Sequence, residues 1–228
     1  MISNLELPKS LPINLIIHGH NGKLGRTVID CLKDNKNINY IANIDRTTNY
    51  TSQLFQGLLS NTNIVILDVT SDIGCKSLLE NLIQNQLYYP LIIGSTGDLP
   101  IKLIDDYSKF VAVAQISNFS DGISTMIDIL PKINIPNSSI KIYETHHKHK
   151  KDAPSGTAKT LADKILLPYS HIFSAREGEI YGIHEVIYEN ENEKITITHE
   201  ILNKNIFAIG CIKWIEKINI SAIGLYKN

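Results

Sequence analysis

Residues 144–158 read Glu-Thr-His-His-Lys-His-Lys-Lys-Asp-Ala-Pro-Ser-Gly-Thr-Ala and gather proton-transfer and anion-binding groups into one short stretch. His146, His147 and His149 can each carry a proton near neutral pH. Lys148, Lys150 and Lys151 add positive charge, so the segment favours an anion over a metal cation and no metal is expected. Neighbouring lysines also hold down a histidine's proton affinity, which suits a general acid working near neutral pH. Pro154 and Ser155 then read as a helix start. Ser155 is a candidate N-cap, and Ala158, Leu161, Ala162, Ile165 and Leu166 recur at helical spacing. The backbone N–H groups of Gly156 and Thr157 would lie at that helix N-terminus, where a carboxylate or phosphate binds well.

A second group of chemically suggestive residues lies near the start of the chain. The apolar run Ile13–His18 leads into Gly19-His20-Asn21-Gly22-Lys23-Leu24-Gly25 and then a helical pattern of Leu24, Val28 and Leu32. Strand, glycine turn and helix in that order form a dinucleotide-binding arrangement, with the helix N-terminus facing the phosphates. The spacing G-x-x-G-x-x-G moves the middle glycine by one place from the commoner pattern. A second strand, Tyr40–Ile44, ends at Asp45, about 20 residues after the turn, where a carboxylate can meet ribose hydroxyls. Arg46 could instead meet the 2′-phosphate of NADPH, so the residues leave NADH and NADPH both open.

The elements that must position these groups alternate. Apolar strands at 63–69, 90–93 and 110–114 are separated by helical stretches, which predicts a parallel sheet with helices on both faces. Thr70-Ser71, Gly94-Ser95-Thr96-Gly97 and Asn118-Phe119-Ser120 fall at the carboxyl ends of those strands, where such sheets bind ligands. After residue 158 the pattern changes. Polar and apolar residues trade places over 180–188 and 194–202 around the turn at 189–193, which reads as antiparallel sheet joined by the strand 140–145. The expected fold class is therefore α/β, with a Rossmann-like parallel-sheet domain and a second α+β domain on an open, mainly antiparallel sheet. The expected boundaries are 1–118 with 207–228 for the dinucleotide-binding domain and 119–206 for substrate binding and oligomerisation. His184 and His199, on the later strands, read as structural.

Glu144, His146, His147, Lys150, Asp152 and the unbroken run Ala153–Ala158 resemble the signature of the dihydrodipicolinate (4-hydroxy-tetrahydrodipicolinate) reductase family of diaminopimelate and lysine biosynthesis. Asp68-Val69-Thr70, Gly94-Ser95-Thr96-Gly97, Asn118-Phe119-Ser120, Arg176-Glu177-Gly178 and Phe207-Ala208-Ile209-Gly210 follow in the family's order, so the resemblance spans nearly the whole chain. It implies hydride transfer from NADH or NADPH to a cyclic dicarboxylate, with His146 as general acid and Lys150 as its partner. His147, Lys150, Ser155, Gly156 and Thr157 match the substrate carboxylate contacts. Gly19, His20, Asn21, Gly22, Lys23, Leu24, Asp45, Arg46, Gly94, Ser95, Thr96, Ile116, Ser117, Asn118 and Phe119 are the implied cofactor contacts. A cytoplasmic homotetramer is implied as well. Lys23, Asp72, Ser117, Ser124 and Lys204 depart from the family's usual residues, and the first four bear on cofactor affinity and preference.

Composition narrows the alternatives. A formal net charge of -1 argues against general nucleic-acid binding, and 43% hydrophobic with 20% charged residues is ordinary for a globular protein. No apolar run reaches the ~20 residues of a membrane span, and residues 1–12 lack a secretory h-region, reading instead as a short polar extension. Cys31, Cys75 and Cys211 are far apart in no metal-binding or disulfide pattern. None sits where it would be activated, which disfavours a semialdehyde dehydrogenase. A non-catalytic nucleotide sensor, or an anion-binding module built on His147–Lys151, is the rival of another class.

Overall fold

The computed structural model describes residues 11–52, 57, 63–219 and 221–227. The polar extension expected over residues 1–12 falls mostly outside them. Along the chain run β1 (Ile13–His18), α1 (Lys23–Cys31), β2 (Ile38–Ile44), β3 (Ile64–Asp68), α2 (Asp72–Gln84), β4 (Leu91–Ile93), α3 (Ile101–Ser108) and β5 (Ala112–Gln115). There follow α4 (Asp121–Ile129), β6 (Ser139–His146), α5 (Gly156–Lys164), β7 (Ile172–Arg176), β8 (Ile183–Glu189), β9 (Lys194–Glu200), α6 (Ile206–Asn219) and β10 (Gly224–Lys227). The chain divides after Ser117 and again after Phe207: the outer segments form one unit, and Asn118–Phe207 the other.

The first unit is a six-stranded sheet in the order β10-β5-β4-β3-β1-β2, with every pairing parallel. Every residue of β3 is buried, and β1 is buried except at Asn14. Such strands have no solvent face, so they show apolar runs rather than alternation. Leu78, Leu79 and Leu82 of α2 and Ile104 and Tyr107 of α3 close the core over Ile16, Ile66, Leu91 and Val113. The carboxyl ends of β1, β3 and β4 converge on buried Asp68. Its Oδ1 lies 2.9 Å from His18 Nδ1 and accepts from Thr70 Oγ1, while Oδ2 accepts from Ser95 Oγ at 2.7 Å. One carboxylate thus ties together the loops that follow three neighbouring strands.

The second unit is a four-stranded sheet in the order β7-β6-β8-β9. β6–β8 and β8–β9 are antiparallel and β6–β7 is parallel, so the sheet is mixed, as a mainly antiparallel layer with one added strand. Ile123, Met126 and Ile127 of α4 and Ala158, Leu161 and Ala162 of α5 pack with Ile142, Val186 and Tyr188 of the sheet. The expected apolar face of α5 runs two residues too far. The helix stops at Lys164, and Leu166 takes φ +54° and is 92% exposed. Leu167 N instead donates to Ala162 O at 2.9 Å, a backbone closure that turns the chain out of the helix and carries Leu166 into solvent.

Candidate active site

The glycine turn joins β1 to α1. Gly19 sits at φ +96°, and a Cβ built there would lie 2.8 Å from Val69 O. Gly22 is the N-cap of α1 and supplies no side-chain cap, which leaves the first-turn N–H groups to a ligand. Lys23 and Leu24 open the helix. His20 and Asn21 line a cavity of about 830 Å³ together with Gly19, Asp45, Arg46 and Thr70. Asp45 is held in place: its Oδ1 accepts from Thr47 N at 2.8 Å and Thr47 Oγ1 at 2.7 Å. These bonds, the Thr47 hydroxyl first, hold its carboxyl below the ordinary range and keep it anionic.

Ser95, Thr96, Ile116 and Ser117 line a second, smaller cavity of about 240 Å³ with Gly97 and Lys227. Gly94 N donates to Asp68 O, which places this loop on the same strand end. Asp72, one of the departures, accepts from Asp98 N at 3.2 Å and so links the loop after β3 to the loop after β4. A glycine cradle that a Cβ would fill, a bare helix N-terminus and an adjoining Asp-Arg pair fit a nicotinamide dinucleotide.

The other chemistry belongs to the second unit. Along β6, Ile142, Glu144 and His146 are buried while Tyr143 is exposed and Thr145 half-buried, the period-two pattern of a strand with one inner face. That face is apolar at Ile142 and becomes ionisable at the carboxyl end of the strand. Glu144 is 1% exposed, and its Oε1 accepts from Arg176 Nη2 at 2.8 Å and from Ser155 N at 3.2 Å. Its Oε2 lies 2.5 Å from His146 Nδ1, close in distance though not aligned as a linear hydrogen bond. Burial pushes the Glu144 carboxyl up, but hydrogen bonds from Arg176 and Ser174 and the charge of His146 outweigh it and bring the group down to about 2.

His146 is held below the ordinary imidazole range. Burial is the main cause; Glu144 opposes it, and Lys150 and Arg176 reinforce it. Lys150 Nζ pairs with Asp152 Oδ1 at 2.8 Å, and Lys150 N donates to His147 O, so the loop after β6 folds back on itself. His147 is half-buried beside His149, with ring centroids 6.3 Å apart. Ser155 is the N-cap of α5 and accepts from Ala158 N at 3.2 Å. Gly156 and Thr157 therefore hold the first two helical positions, and Thr157 Oγ1 accepts from Asn118 Nδ2 at 3.1 Å. Phe119 is buried, and Asn118 Oδ1 caps Ser120 N.

Two histidines extend this cluster across the sheet. Glu144 is the cross-strand partner of His184, and His184 that of His199. His184 Nε2 lies 3.3 Å from Ser155 Oγ, and His199 Nε2 lies 3.1 Å from Ser120 Oγ. Burial, then the charge of His146, pushes His184 down to about 3, so it is neutral at physiological pH. Each histidine thereby braces the N-cap serine of one helix. Glu144, His146 and His184 bring donor atoms within 4.8 Å of one another. Arg176 already occupies one carboxylate oxygen, and 2.5 Å between the other and His146 is closer than the ~3.3 Å between two donors on a tetrahedral zinc. The geometry is that of a carboxylate–imidazole pair. Burial also pushes the thiols of Cys75 and Cys211 up, which makes both poor nucleophiles.

The sequence predicts the helix start at Ser155 and a structural place for His184, but it assigns no role to Glu144 or Arg176. The alternation of Glu144 and His146 on one strand face was the available signal for the first.

A parallel sheet with a glycine cradle in one unit, and a buried imidazole with a helix N-terminus in the other, are the parts of a nicotinamide-dependent oxidoreductase. The chain belongs to the dihydrodipicolinate reductase family, whose N-terminal model matches residues 13–119 and whose C-terminal model matches residues 119–227. It is 30% identical to a 4-hydroxy-tetrahydrodipicolinate reductase of Rickettsia rickettsii over 90% of this chain and 93% of the relative. It is 31% identical to that of Caldanaerobacter subterraneus over 94% and 96%. A dipicolinate-bound dihydrodipicolinate reductase from a Paenisporosarcina species shares the fold, with a TM-score of 0.71 and 20% identity over 96% of this chain and 98% of that one.

Proposed function

We propose that the chain reduces 4-hydroxy-tetrahydrodipicolinate to tetrahydrodipicolinate in diaminopimelate and lysine biosynthesis, using NADH or NADPH. The observation that carries this reading is the match of both family models along residues 13–227, including the segment that bears His146 and the helix start. When bound, the nicotinamide supplies the hydride. The residues of this chain do the rest. Gly19–Leu24, Asp45 and Arg46 hold the dinucleotide, with Gly94, Ser95, Thr96, Ile116, Ser117, Asn118 and Phe119 as further contacts. His147, Lys150 and the N–H groups of Gly156 and Thr157 hold the substrate carboxylates, and Ser155 fixes the helix start. His146 gives a proton to the reduced substrate, with Lys150 beside it. A coupled assay that follows NAD(P)H loss with freshly made substrate tests the reading; a protein that binds nucleotide without turnover would be a sensor.

Among the described residues no helix is long and apolar enough to cross a membrane, which is compatible with a cytoplasmic enzyme. The outer face of the second sheet exposes Tyr143 and Phe173, stacked at 5.0 Å, and this apolar pair supports assembly through that unit into a homotetramer. Light scattering gives the mass directly; a monomer across the micromolar range would remove the assembly.

Two further outcomes are expected. Asp45 favours a free ribose and Arg46 a 2′-phosphate, so NADH and NADPH should be used with less than about tenfold preference. A preference above a hundredfold would mean that only one of the two meets the ribose. At the helix start, pyridine-2,6-dicarboxylate should compete with substrate, and the monocarboxylate analogue should bind roughly ten- to a hundredfold more weakly for loss of one charge-assisted site. Inhibition by any polyanion in proportion to its charge would instead indicate a general basic patch.

A further inference from the structure

We propose that Glu144 is a positioning residue: its carboxylate, fixed by Arg176 and by the backbone of Ser155, holds His146 at Nδ1 and makes Nε2 the nitrogen that delivers the proton. The inference rests on the proposed role of His146 as proton donor. It is carried by geometry. Glu144 is almost fully buried at 1% exposure, so its charge is not there for solubility, and both its oxygens face groups of the candidate site. Oε1 takes Arg176 Nη2 and Ser155 N, which leaves Oε2 as the oxygen facing His146 Nδ1, 2.5 Å away in an ion-pair contact that is out of line for a hydrogen bond until the ring turns slightly. Arg176 is itself anchored, since Nη2 also donates to Asp152 O and Nη1 to Ala175 O.

The far side of the ring is bordered by a residue without a side chain. Gly182 lies beside it, and a Cβ built at that residue would stand 3.1 Å from His146 Nε2 and 3.2 Å from Ile201 Cδ1. Any side chain there would crowd the nitrogen that must reach substrate. His184 meets the ring edge-on, with centroids 5.1 Å apart, and so blocks rotation of the imidazole. A carboxylate on Nδ1 selects the tautomer and orientation of a histidine, and leaves Nε2 as the exchangeable site. Once the 4-hydroxyl has left as water and C4 has received hydride, the Nε2–H bond breaks and a C–H bond forms at the neighbouring carbon at the expense of the enamine double bond, while the neutral imidazole keeps its Nδ1 proton toward Glu144. Solvent then restores the Nε2 proton.

The charged and titratable groups around His146 are Glu144 on its own strand, Lys150 in the loop that follows, Arg176 on β7 and His184 on β8, with His199 behind His184 on β9. Of these only Glu144 favours the protonated imidazole. Removing its charge therefore lowers the proton affinity of His146. Activity that needs protonated His146 is lost as pH rises through that affinity, so the loss should come at lower pH.

The test combines two measurements. In Glu144→Gln, kcat should fall roughly 10- to 100-fold with KM changed less than about threefold, and the alkaline limb of the kcat profile should move about one pH unit lower. Glu144→Asp should restore the position of that limb even if kcat stays reduced, which a purely structural role would not do. A limb that stays in place in Glu144→Gln overturns the proposal. Because Glu144→Gln takes the carboxylate away from half-buried Arg176 and can destabilise that variant, the wild-type protein provides a second reading by ¹⁵N NMR of its imidazoles. The His146 signals, assigned by their absence in His146→Gln, should show neutral imidazole protonated at Nδ1; an Nε2–H tautomer overturns the proposal without reference to turnover. If the tautomer is as expected while His146→Gln turns over normally, the positioning stands and the assignment of the proton donor fails.

Discussion

Replacing His146 with Gln is expected to lower kcat by roughly 10²- to 10⁴-fold, the usual loss when a positioned proton donor is removed. Nucleotide affinity should stay within about twofold of the original, since the glycine turn and Asp45 belong to the first unit and His146 to the second. Gln keeps a polar group near Glu144 and similar bulk, so the fold should survive, which circular dichroism and a thermal melt would verify. The measurement pairs steady-state turnover with fluorescence titration of NADH. If affinity for nucleotide collapsed together with turnover, His146 would be acting on the first unit and the division of labour would be wrong. A tenfold loss or less would make His146 a substrate contact and move the proton source elsewhere, with Lys150 the nearest candidate.

How much of this was legible in the sequence depended on what kind of contact carries each feature. The first unit was readable because its strands are buried on both faces: Ile64–Asp68 and Leu91–Ile93 show apolar runs that no surface segment would tolerate. The helix start at Ser155 was readable because capping is local, a serine oxygen reaching a backbone N–H three residues on. Strand β7 was not, because only Ile172 of its five residues is buried, so no alternation exists to read; it is a strand because it pairs with β6. Strand β10 is similarly short and half-buried at the sheet edge. Arg176 and His184 join Glu144 from β7 and β8, over separations of 32 and 40 residues that only the sheet register closes. Leu166 misled because periodicity continues past the point where the backbone turns out of the helix.

Gly25→Ala is expected to weaken NADH binding by roughly a hundredfold. Gly25 is buried in α1, and a Cβ there would lie 2.4 Å from Gly19 O and 2.8 Å from His20 Cα. Both are backbone atoms of the turn and cannot swing aside as a flexible side chain would. Either α1 slides away from β1 or the turn opens, and in both cases the N–H groups that meet the phosphates are displaced. A misplacement of about 1 Å can cost a factor of ~10² where binding depends on several groups acting together. The intrinsic preference of a helix for Ala over Gly works the other way, by roughly 0.5–1 kcal/mol, so a lowered melting temperature would itself register the crowding. Gly156→Ala supplies the control. It also adds a methyl group to a glycine in the first turns of a helix, but nothing lies within 4 Å of the added atom, and NADH affinity should not change. Equal effects of the two substitutions on nucleotide affinity would mean that the turn at Gly19–Gly25 is not the phosphate cradle.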